Sequence, residues 1–435
     1  MIVGLPFPQN HDRRTSAVKI SVFGLGYLGA VHAAAMASLG HRVVGIDVDA
    51  AKVERLQAGQ APFYEPGFQE LLDQVLPVGR LTFSTSPAAA RKSQVHFMCV
   101  GTPQSPDSDR ADLSYVQAVT GQLAELLAGT TGRHLLVGKS TVPVGTAEAL
   151  AGYLAEAAPN VEVLWNPEFL REGFAVEDSL HPDRMVYGVA PGAAGEWATA
   201  VLDTVYAPIL ADGVPRLVMD YATAQLVKVA ANSFLATKIS FINAMSVLCE
   251  ASGGDVTALA EAIGLDERIG KRFLRAGLGY GGGCLPKDAR ALVARADELG
   301  VGPTFEFLRH LDAVNTSQRQ RVTEMVVRAL GGKATGQRVA MLGAAFKPNS
   351  DDVRDSPALA VARGLAELGA QVRLYDPVAG PAGLRAAPGV ELSASVAEAA
   401  AQAQVVVVGT EWDEFKRLDP VELAQVVAAR RVVDA

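Results

Sequence analysis

The sequence predicts an α/β protein in which two Rossmann-like, doubly wound parallel-sheet domains are joined by a long central helix within a helical dimerisation region. Short apolar runs alternate with glycine-rich turns and helical stretches in the first third of the chain, and this alternation returns after residue 338. Between them, residues 221–251 contain neither proline nor glycine, which is typical of one long helix. The predicted boundaries are 1–18 for a disordered leader, 19–215 for the N-terminal Rossmann domain, 216–318 for the helical domain and 319–435 for the C-terminal Rossmann-like domain.

The composition argues against several functional classes. A length of 435 residues is too great for one ordinary core, so two or three domains are expected. Cys99, Cys249 and Cys284 are odd in number and far apart, which argues against a disulfide framework and fits a cytoplasmic protein. The net charge of −8 argues against nucleic acid as a partner. No uninterrupted apolar run reaches membrane-spanning length, so we expect no membrane partner either.

The first strand, predicted at 19–23, is followed by Gly24-Leu25-Gly26-Tyr27-Leu28-Gly29 and a helix over 30–39. A second strand over 42–46 ends in Asp47. A G-x-G-x-x-G turn between strand and helix, with an acid after the next strand, indicates a dinucleotide site. The carboxylate of Asp47 would accept hydrogen bonds from the ribose and repel a 2′-phosphate, which favours NAD over NADP.

Further strands predicted at 95–100, 134–137 and 161–165 each end in a polar or proline-containing segment, and these segments should line one crevice. The last of them carries Glu168 and Glu172, four residues apart. In a helix the two carboxylates would share a face and raise each other's pKa, as proton transfer often requires. A solvated acidic face is the alternative.

The long helix carries Lys228 and Asn232 at a spacing that puts both on one side. Two donors on one face suit an oxygen that gains negative charge. The alternative is that Lys228 extends to solvent along the apolar surface.

Cys284 stands between a glycine cluster over 277–283 and the segment Leu285-Pro286-Lys287-Asp288, which begins a helical pattern. At a helix N-terminus beside Lys287, thiolate would be favoured over thiol. Asp288 is close enough to act as a base or to orient water. We interpret Cys284 as a nucleophile; the alternative is a buried structural cysteine.

The last third repeats the α/β alternation, with strands predicted at 338–342, 371–375 and 404–408. Its first loop lacks the G-x-G-x-x-G pattern but contains Lys347 and Arg354, which suit phosphate or ribose contacts. A second nucleotide-like ligand is therefore expected across the cleft. An NAD site combined with a nucleophilic cysteine indicates oxidation to the acid level through a thiohemiacetal and a thioester. A non-catalytic sensor and a two-electron hydroxyacid dehydrogenase are the alternatives.

These motifs, in this order, resemble the UDP-glucose/GDP-mannose dehydrogenase family over nearly the whole chain after residue 18. The stretches that carry the resemblance are Gly24–Gly29 with Asp47, Tyr64-Glu65-Pro66-Gly67, Lys139-Ser140-Thr141-Val142-Pro143, Asn166–Gly173, Lys228–Asn232, Arg268-Ile269-Gly270, Gly279–Asp288 and Phe346–Arg354.

The resemblance implies a four-electron oxidation of a sugar C6 hydroxyl with two NAD and no metal. UDP-glucose is the favoured substrate, and UDP-N-acetyl-mannosamine or the GlcNAc sugar nucleotide and GDP-mannose are the alternatives. It also implies a homodimer in which Arg268 reaches the neighbouring subunit's substrate. The implied catalytic residues are Cys284, Lys228, Asn232, Asp288, Glu168 and Thr141. The implied cofactor residues are Gly24, Gly26, Tyr27, Leu28, Gly29, Asp47, Lys52, Gly101, Thr102, Thr141, Glu172, Lys287 and Arg354. The implied substrate residues are Glu168, Phe169, Leu170, Glu172, Lys228, Asn232, Arg268, Arg275, Tyr280, Gly281, Cys284, Phe346 and Lys347.

Overall fold

A computed structural model of the protein describes residues 17–435. The predicted leader, 1–18, lies outside the described residues except for its last two. The described chain forms two β-sheets, each covered by helices, with a helical region between them in sequence. The predicted α/β class with two Rossmann-like sheets is confirmed.

The first sheet has eight strands in the order β3-β2-β1-β4-β5-β6-β7-β8. They are β1 Lys19–Phe23, β2 Arg42–Ile46, β3 Leu81–Ser84, β4 Val95–Met98, β5 His134–Gly138, β6 Val161–Trp165, β7 Met185–Val189 and β8 Arg216–Met219. The first six are parallel in the order of a dinucleotide-binding sheet, and β7 runs antiparallel to β6. Every residue of β4 and β5 is buried, because helices cover both faces of the sheet.

The helices around this sheet connect its strands and bury their apolar sides on it. They are α1 Tyr27–Ser38, α2 Ala50–Gln57, α3 Phe68–Val75, α4 Ser114–Leu127, α5 Thr146–Ala157, α6 Ala175–Leu180, α7 Ala193–Val205 and α8 Ala207–Ala211, with a 3-10 turn at Pro87–Lys92. Helix α1 is rich in alanine, and nine of its residues from Gly29 to Ala37 are buried. Small side chains let this helix lie close to the sheet, which places its N-terminus at the edge where β1 and β4 end.

The middle of the chain is helical, with α9 Tyr221–Ser252, α10 Val256–Gly264, α11 Leu285–Glu298 and α12 Glu306–Ala329, and a 3-10 turn at Gly302–Phe305. Asp220 accepts a hydrogen bond from the N–H of Thr223 (2.8 Å) and starts α9. Gly253, with φ of +77°, ends it. Asp255 then caps α10 through the N–H of Thr257 (2.7 Å).

Helix α9 is long and apolar enough to cross a membrane, judged by length and composition alone, and it is the one such helix among residues 17–435. It packs against α11 and α12 and against β7 of the first sheet. Core helices of folded proteins meet the same criteria, so the prediction of no membrane partner stays a prediction.

The second sheet is wholly parallel, in the order β11-β10-β9-β12-β13. Its strands are β9 Arg338–Leu342, β10 Gln371–Tyr375, β11 Val390–Leu392, β12 Val405–Val408 and β13 Val432–Asp434, and its helices are α13 Pro357–Glu367, α14 Gly380–Ala386, α15 Val396–Ala400, α16 Asp413–Lys416 and α17 Pro420–Val426. Val322 and Val326 of α12 belong to the core of this sheet. Helix α12 therefore continues through position 318/319, where the sequence predicted a domain boundary.

Candidate active site

The turn between β1 and α1 has the backbone that a dinucleotide site requires. Gly24 has φ of +87°, and a Cβ on Gly29 would lie 1.7 Å from the carbonyl oxygen of Gly24. These two glycines serve the tight turn and the close packing of helix on strand. A Cβ on Gly26 or on Gly101 would meet no atom within 4 Å. The space beside the N-terminus of α1 is therefore open to a pyrophosphate.

Asp47, at the end of β2, is held at the same edge of the sheet. Its carboxylate accepts hydrogen bonds from the N–H of Leu25 (2.7 Å), the N–H of Asp49 (2.9 Å) and the ammonium of Lys52 (2.9 Å). Burial would raise the pKa of Asp47, but the hydrogen bonds from Asp49 and Leu25 and the charge of Lys52 lower it overall. An ionised carboxylate here suits a ribose hydroxyl and opposes a 2′-phosphate.

Two predicted cofactor residues in the same turn make other contacts. Leu28 packs against the core of the first sheet. Tyr27 donates its hydroxyl hydrogen to Asp351, in the loop after β9. The other oxygen of Asp351 accepts the N–H of Tyr64 (3.0 Å). Asp351 therefore links the dinucleotide turn to the second sheet's first loop.

The segment 166–173 is an extended loop and a turn, so the condition under which Glu168 and Glu172 would share a helical face is not met. The two carboxylates have separate cationic partners. Glu168 lies 2.9 Å from the ammonium of Lys228, and Glu172 lies 3.2 Å from the guanidinium of Arg354. Burial, followed by the charge of Asp352, raises the pKa of Glu172 to about 7. Glu168 is not among the causes of that rise.

Glu65 is a site residue to which the sequence reasoning gave no role. It is only 6% exposed, and its two oxygens accept the N–H groups of Gly173 and Ala175, each at 2.7 Å. The carboxylate thereby fixes the end of the 166–173 loop and the start of α6. Its presence in the Tyr64-Glu65-Pro66-Gly67 motif was the only sequence signal, because its partners are backbone groups more than 100 residues away.

Lys228 and Asn232 of α9 are buried and face the same site, so the alternative in which Lys228 extends to solvent does not hold. Burial lowers the pKa of Lys228, but the charges of Glu168, Cys284 and Asp288 outweigh it and raise the pKa overall. Lys228 is therefore held as an ammonium. Asn232 donates its amide hydrogen to Asp288 (2.7 Å).

Cys284 occupies the position just before the first turn of α11, with Pro286 in that turn, as predicted. The next charged residues form a tight pair, with the ammonium of Lys287 2.6 Å from a carboxylate oxygen of Asp288. The cysteine is open to solvent on one side but is closely surrounded by protein on the others. That desolvation, then the charges of Asp288 and Glu168, raise the pKa of Cys284 to about 12, although Lys228 and Lys287 oppose the rise. The prediction of a favoured thiolate is wrong for the protein by itself.

The glycines before Cys284 pack directly against the loop after β9. An added Cβ would lie 2.4 Å from the carbonyl oxygen of Asp355 at Gly281, 2.8 Å from the ring of Phe346 at Gly282 and 2.3 Å from the guanidinium carbon of Arg354 at Gly283. The N–H of Gly282 also donates to the carbonyl oxygen of Arg354 (2.9 Å). The glycine cluster thus lets the cysteine loop and the second domain meet backbone to backbone.

The remaining predicted substrate side chains line the same cleft. Tyr280 is 5% exposed, and Asn315 of α12 bonds both its N–H (2.7 Å) and its carbonyl oxygen (3.0 Å). Lys347 lies over the ring of Phe346, and burial lowers its pKa against the opposing charges of Glu172 and Glu65. The guanidinium of Arg184 and the ammonium of Lys228 both lie over the ring of Phe169, 3.9 and 5.8 Å from its centre. Leu170 donates its N–H to Glu168 (2.8 Å).

A cavity beside this cleft brings together Thr102, Thr141, Lys287 and Asp288. The hydroxyl of Thr102 donates to the carbonyl oxygen of Thr141 (2.7 Å), and the ammonium of Lys287 lies 3.5 Å from the Thr102 hydroxyl. The predicted residues that follow β4 and β5 therefore meet the cysteine helix at the carboxyl edge of the first sheet.

Two predicted substrate residues are not brought to this cleft by any contact within the described chain. The side chain of Arg268 is 88% exposed and pairs with Asp266 (2.6 Å). Arg275 pairs with Glu411 (2.7 Å) and is 81% exposed. Within residues 17–435 no group of three or more His, Cys, Asp or Glu residues is placed to hold a metal ion.

Three family models match almost all of the described chain. They are the NAD binding domain of the UDP-glucose/GDP-mannose dehydrogenase family at residues 18–210, its central domain at 222–317 and its UDP binding domain at 340–435. A UDP-glucose 6-dehydrogenase of Rhizobium meliloti is 41% identical over 420 residues, which cover 96% of this chain and 94% of the relative.

Two solved structures share the whole architecture. A UDP-glucose dehydrogenase from the archaeon Pyrobaculum islandicum is 39% identical with a TM-score of 0.88, covering 97% of this chain and 98% of that one. A UDP-D-ManNAc dehydrogenase from Pyrococcus horikoshii is 26% identical with a TM-score of 0.83, covering 96% and 95%.

The dinucleotide turn, the cysteine loop and the second Rossmann-like sheet thus fall in three consecutive domains of one enzyme family, and the first of these domains is the one that binds NAD. The predictions of NAD as the cofactor and of an NAD-dependent oxidoreductase are confirmed. The chain belongs to the UDP-glucose/GDP-mannose dehydrogenase family.

Proposed function

We propose that the protein oxidises the C6 hydroxyl of UDP-glucose to a carboxylate, a four-electron reaction, through covalent intermediates on Cys284. The observation that supports this most directly is the surroundings of the cysteine. A buried ammonium (Lys228) with its carboxylate (Glu168) and a buried amide (Asn232) with its carboxylate (Asp288) adjoin one solvent-open thiol. A simple alcohol dehydrogenase needs no such nucleophile.

The dinucleotide turn fits NAD, since the positions that must approach the pyrophosphate are open and Asp47 is ionised. The residues that would hold it are Gly24, Gly26, Gly29 and Asp47, with Lys52 beside the carboxylate. Bound NAD supplies the hydride acceptor, and two are consumed per sugar. We expect Lys287 and Arg354 to contribute to the same pocket.

The covalent steps require a thiol, stabilised oxygens and a proton acceptor. The C6 hydroxyl is first oxidised to the aldehyde. The Cys284 sulfur then adds to the aldehyde carbon and its proton passes to the aldehyde oxygen, which gives a thiohemiacetal whose oxidation leaves a thioester. Lys228 and Asn232, already desolvated, stabilise the oxygen that gains charge in each addition. Water then attacks the thioester carbon, Glu168 accepts its proton, and the C–S bond breaks to release the acid. Thr141 orders the water, and Asp288 holds Asn232 and Lys287 in place.

We favour UDP-glucose over the acetamido sugars as the substrate because the UDP-glucose dehydrogenases are the more similar relatives. The UDP-glucose dehydrogenases are about 40% identical to this chain, whereas the UDP-D-ManNAc dehydrogenase is 26% identical. The UDP group would lie against the second domain, where Lys347 lies over the ring of Phe346 and feels the charge of Glu172. Phe169, Leu170, Tyr280 and Gly281 would enclose the sugar.

We also propose a homodimer formed through α9. Phe234, Phe241 and Leu248 are 65%, 47% and 58% exposed and recur every seven residues, which makes one apolar stripe. Lys238, on the same helix, donates to the carbonyl oxygens of Ile269 (2.9 Å) and Gly270 (3.2 Å). This contact holds the turn of Arg268 beside the stripe, so a partner docked there would meet its guanidinium.

Arg275, which is paired with Glu411, would contact substrate only after that pair opens. We also propose that the protein is cytoplasmic and that its three domains span residues 19–215, 216–318 and 319–435.

The test is the amount of NADH released per mole of limiting UDP-glucose, with GDP-mannose and UDP-N-acetyl-mannosamine in parallel. Two NADH from UDP-glucose is the expected result. One NADH from any sugar would point to a two-electron dehydrogenase, and none from all three would favour a sensor. Cys284→Ser should bind NAD normally but form no acid, and full acid production by it would refute the covalent route.

A further inference from the structure

Lys139 is a buried cation to which the reaction described above gives no part. It is the residue immediately after β5 and is 6% exposed. Its ammonium donates to the side-chain oxygen of Asn166 (2.9 Å) and lies 3.5 Å from the backbone oxygen of the same residue. A lysine with its head group inside a protein is rare and costs free energy unless its hydrogen bonds and charge are used.

Asn166 is held from three directions. It is 1% exposed, and its side-chain oxygen also accepts the hydroxyl hydrogen of Tyr206 (2.9 Å). Its amide donates to the carbonyl oxygen of Val186 in β7 (2.9 Å). Asn166 is the first residue after β6 and lies two residues before Glu168. The contact from Lys139 therefore acts on the start of the segment that presents Glu168 to the cysteine.

The groups around Lys139 include the carboxylate of Glu168. The groups that face it are Cys99 from the end of β4, Glu168 from the 166–173 loop, Lys228 from α9, His32 from α1 and the ring of Tyr206. Among these, Glu168 is the carboxylate. Burial lowers the pKa of Lys139 to about 8, with Cys99 and Glu168 opposing that effect. Tyr206 already donates a neutral hydrogen bond to the same Asn166 oxygen, so Lys139 is a second, charged donor to one acceptor.

We propose that Lys139 is a positioning residue for thioester hydrolysis: through Asn166 it fixes the start of the 166–173 loop so that Glu168 meets the attacking water. The inference rests on the proposed function. In the step concerned, water adds to the thioester carbon and its proton goes to Glu168. The C–S bond then breaks, and that proton passes to the sulfur, which returns the thiol of Cys284 and leaves the acid. No electrons are transferred in this step, so the two preceding oxidations should not depend on Lys139.

The experiment is rapid mixing of Lys139→Met with UDP-glucose and excess NAD, followed by intact-protein mass spectrometry. Two NADH per active site should appear in a fast phase, followed by turnover about 100-fold slower than in the unchanged enzyme. kcat/KM for both substrates should change less than about 3-fold, because the steps that commit the substrate precede hydrolysis, so KM should fall together with kcat. A covalent UDP-sugar adduct that Cys284→Ser lacks should accumulate. Equal slowing of the fast phase, or no adduct, would overturn the proposal.

Asn166→Ala keeps the lysine and removes its partner, which covers the case in which Lys139→Met does not fold. It should show the same fast phase and adduct, and the double variant should be no slower than either single variant, since both break one link. Tyr206→Phe is the matched control, because it removes a neutral bond to the same oxygen, and its turnover should fall less than about 3-fold. Additive losses would overturn the proposal. A failure of the proposed function shows separately, as fewer than two NADH from the unchanged enzyme.

Discussion

Gly281→Ala should nearly abolish turnover while leaving the cofactor site intact. The new methyl carbon would lie 2.4 Å from the carbonyl oxygen of Asp355 and 2.7 Å from the ring of Pro357, about 1 Å closer than an ordinary contact. Backbone cannot rotate away as a flexible side chain can, so the cysteine loop must shift by a comparable distance. A displacement of about 1 Å at a reacting group costs roughly 100-fold in rate, and the strained contact costs about 1–3 kcal/mol of stability.

Gly277→Ala is the control in the same loop. Its Cβ would lie 3.6 Å from the nearest atom, an ordinary contact, so activity should stay within about 3-fold. The assay compares kcat, urea denaturation and NADH binding by fluorescence for the two variants. Gly281→Ala with unchanged kcat would refute the reasoning that Cys284 is positioned by the packing of glycines on the second domain.

Two further predictions concern carboxylates. Because the folded pKa of Glu172 is raised from 4.5 to about 7, its contribution to stability is full below about pH 4.5 and is lost as pH rises through about 7. The melting temperature of Glu172→Gln should therefore rise relative to that of the unchanged protein as pH increases from 5 to 8. A difference in melting temperature that does not change with pH would contradict this. Asp47→Asn should reduce the preference for NAD over NADP in kcat/KM by at least about 10-fold, since it removes the charge that opposes a 2′-phosphate and frees Lys52. Asp49→Asn, at the exposed helix cap nearby, should not, and an equal effect there would refute a specific role for Asp47.

Local pattern was sufficient for most of the fold. The strands predicted at 19–23, 42–46, 161–165, 338–342 and 371–375 have those bounds in the structure. Buried parallel strands are short apolar runs with polar residues at both ends, so their limits are visible in the sequence. The antiparallel direction of β7 was not predicted, because the direction of a strand depends on how it is connected and cannot be determined from its own side chains.

The site was predictable in its members but less so in their pairing. Lys228, Asn232, Cys284 and Asp288 meet as expected, because a helix fixes which side chains share a face. Glu168 and Glu172 do not share the helical face that their four-residue spacing allows, because Pro167 and Gly173 favour a loop. The thiolate prediction failed because desolvation and two carboxylates outweigh a helix terminus, and burial depends on segments distant in sequence.

Helix α12 is shared by the cysteine loop and the second sheet, because it contacts both. Asn315, near its middle, clamps the backbone of Tyr280 just before the cysteine, and Val322, two turns later, is embedded in the core of the second sheet. A helix resists bending over so short a distance. A tilt of the domain expected to grip the nucleotide would therefore be passed mechanically to the loop of Cys284. Binding of the nucleotide end of the substrate would thus affect the orientation of the Cys284 thiol toward the sugar end.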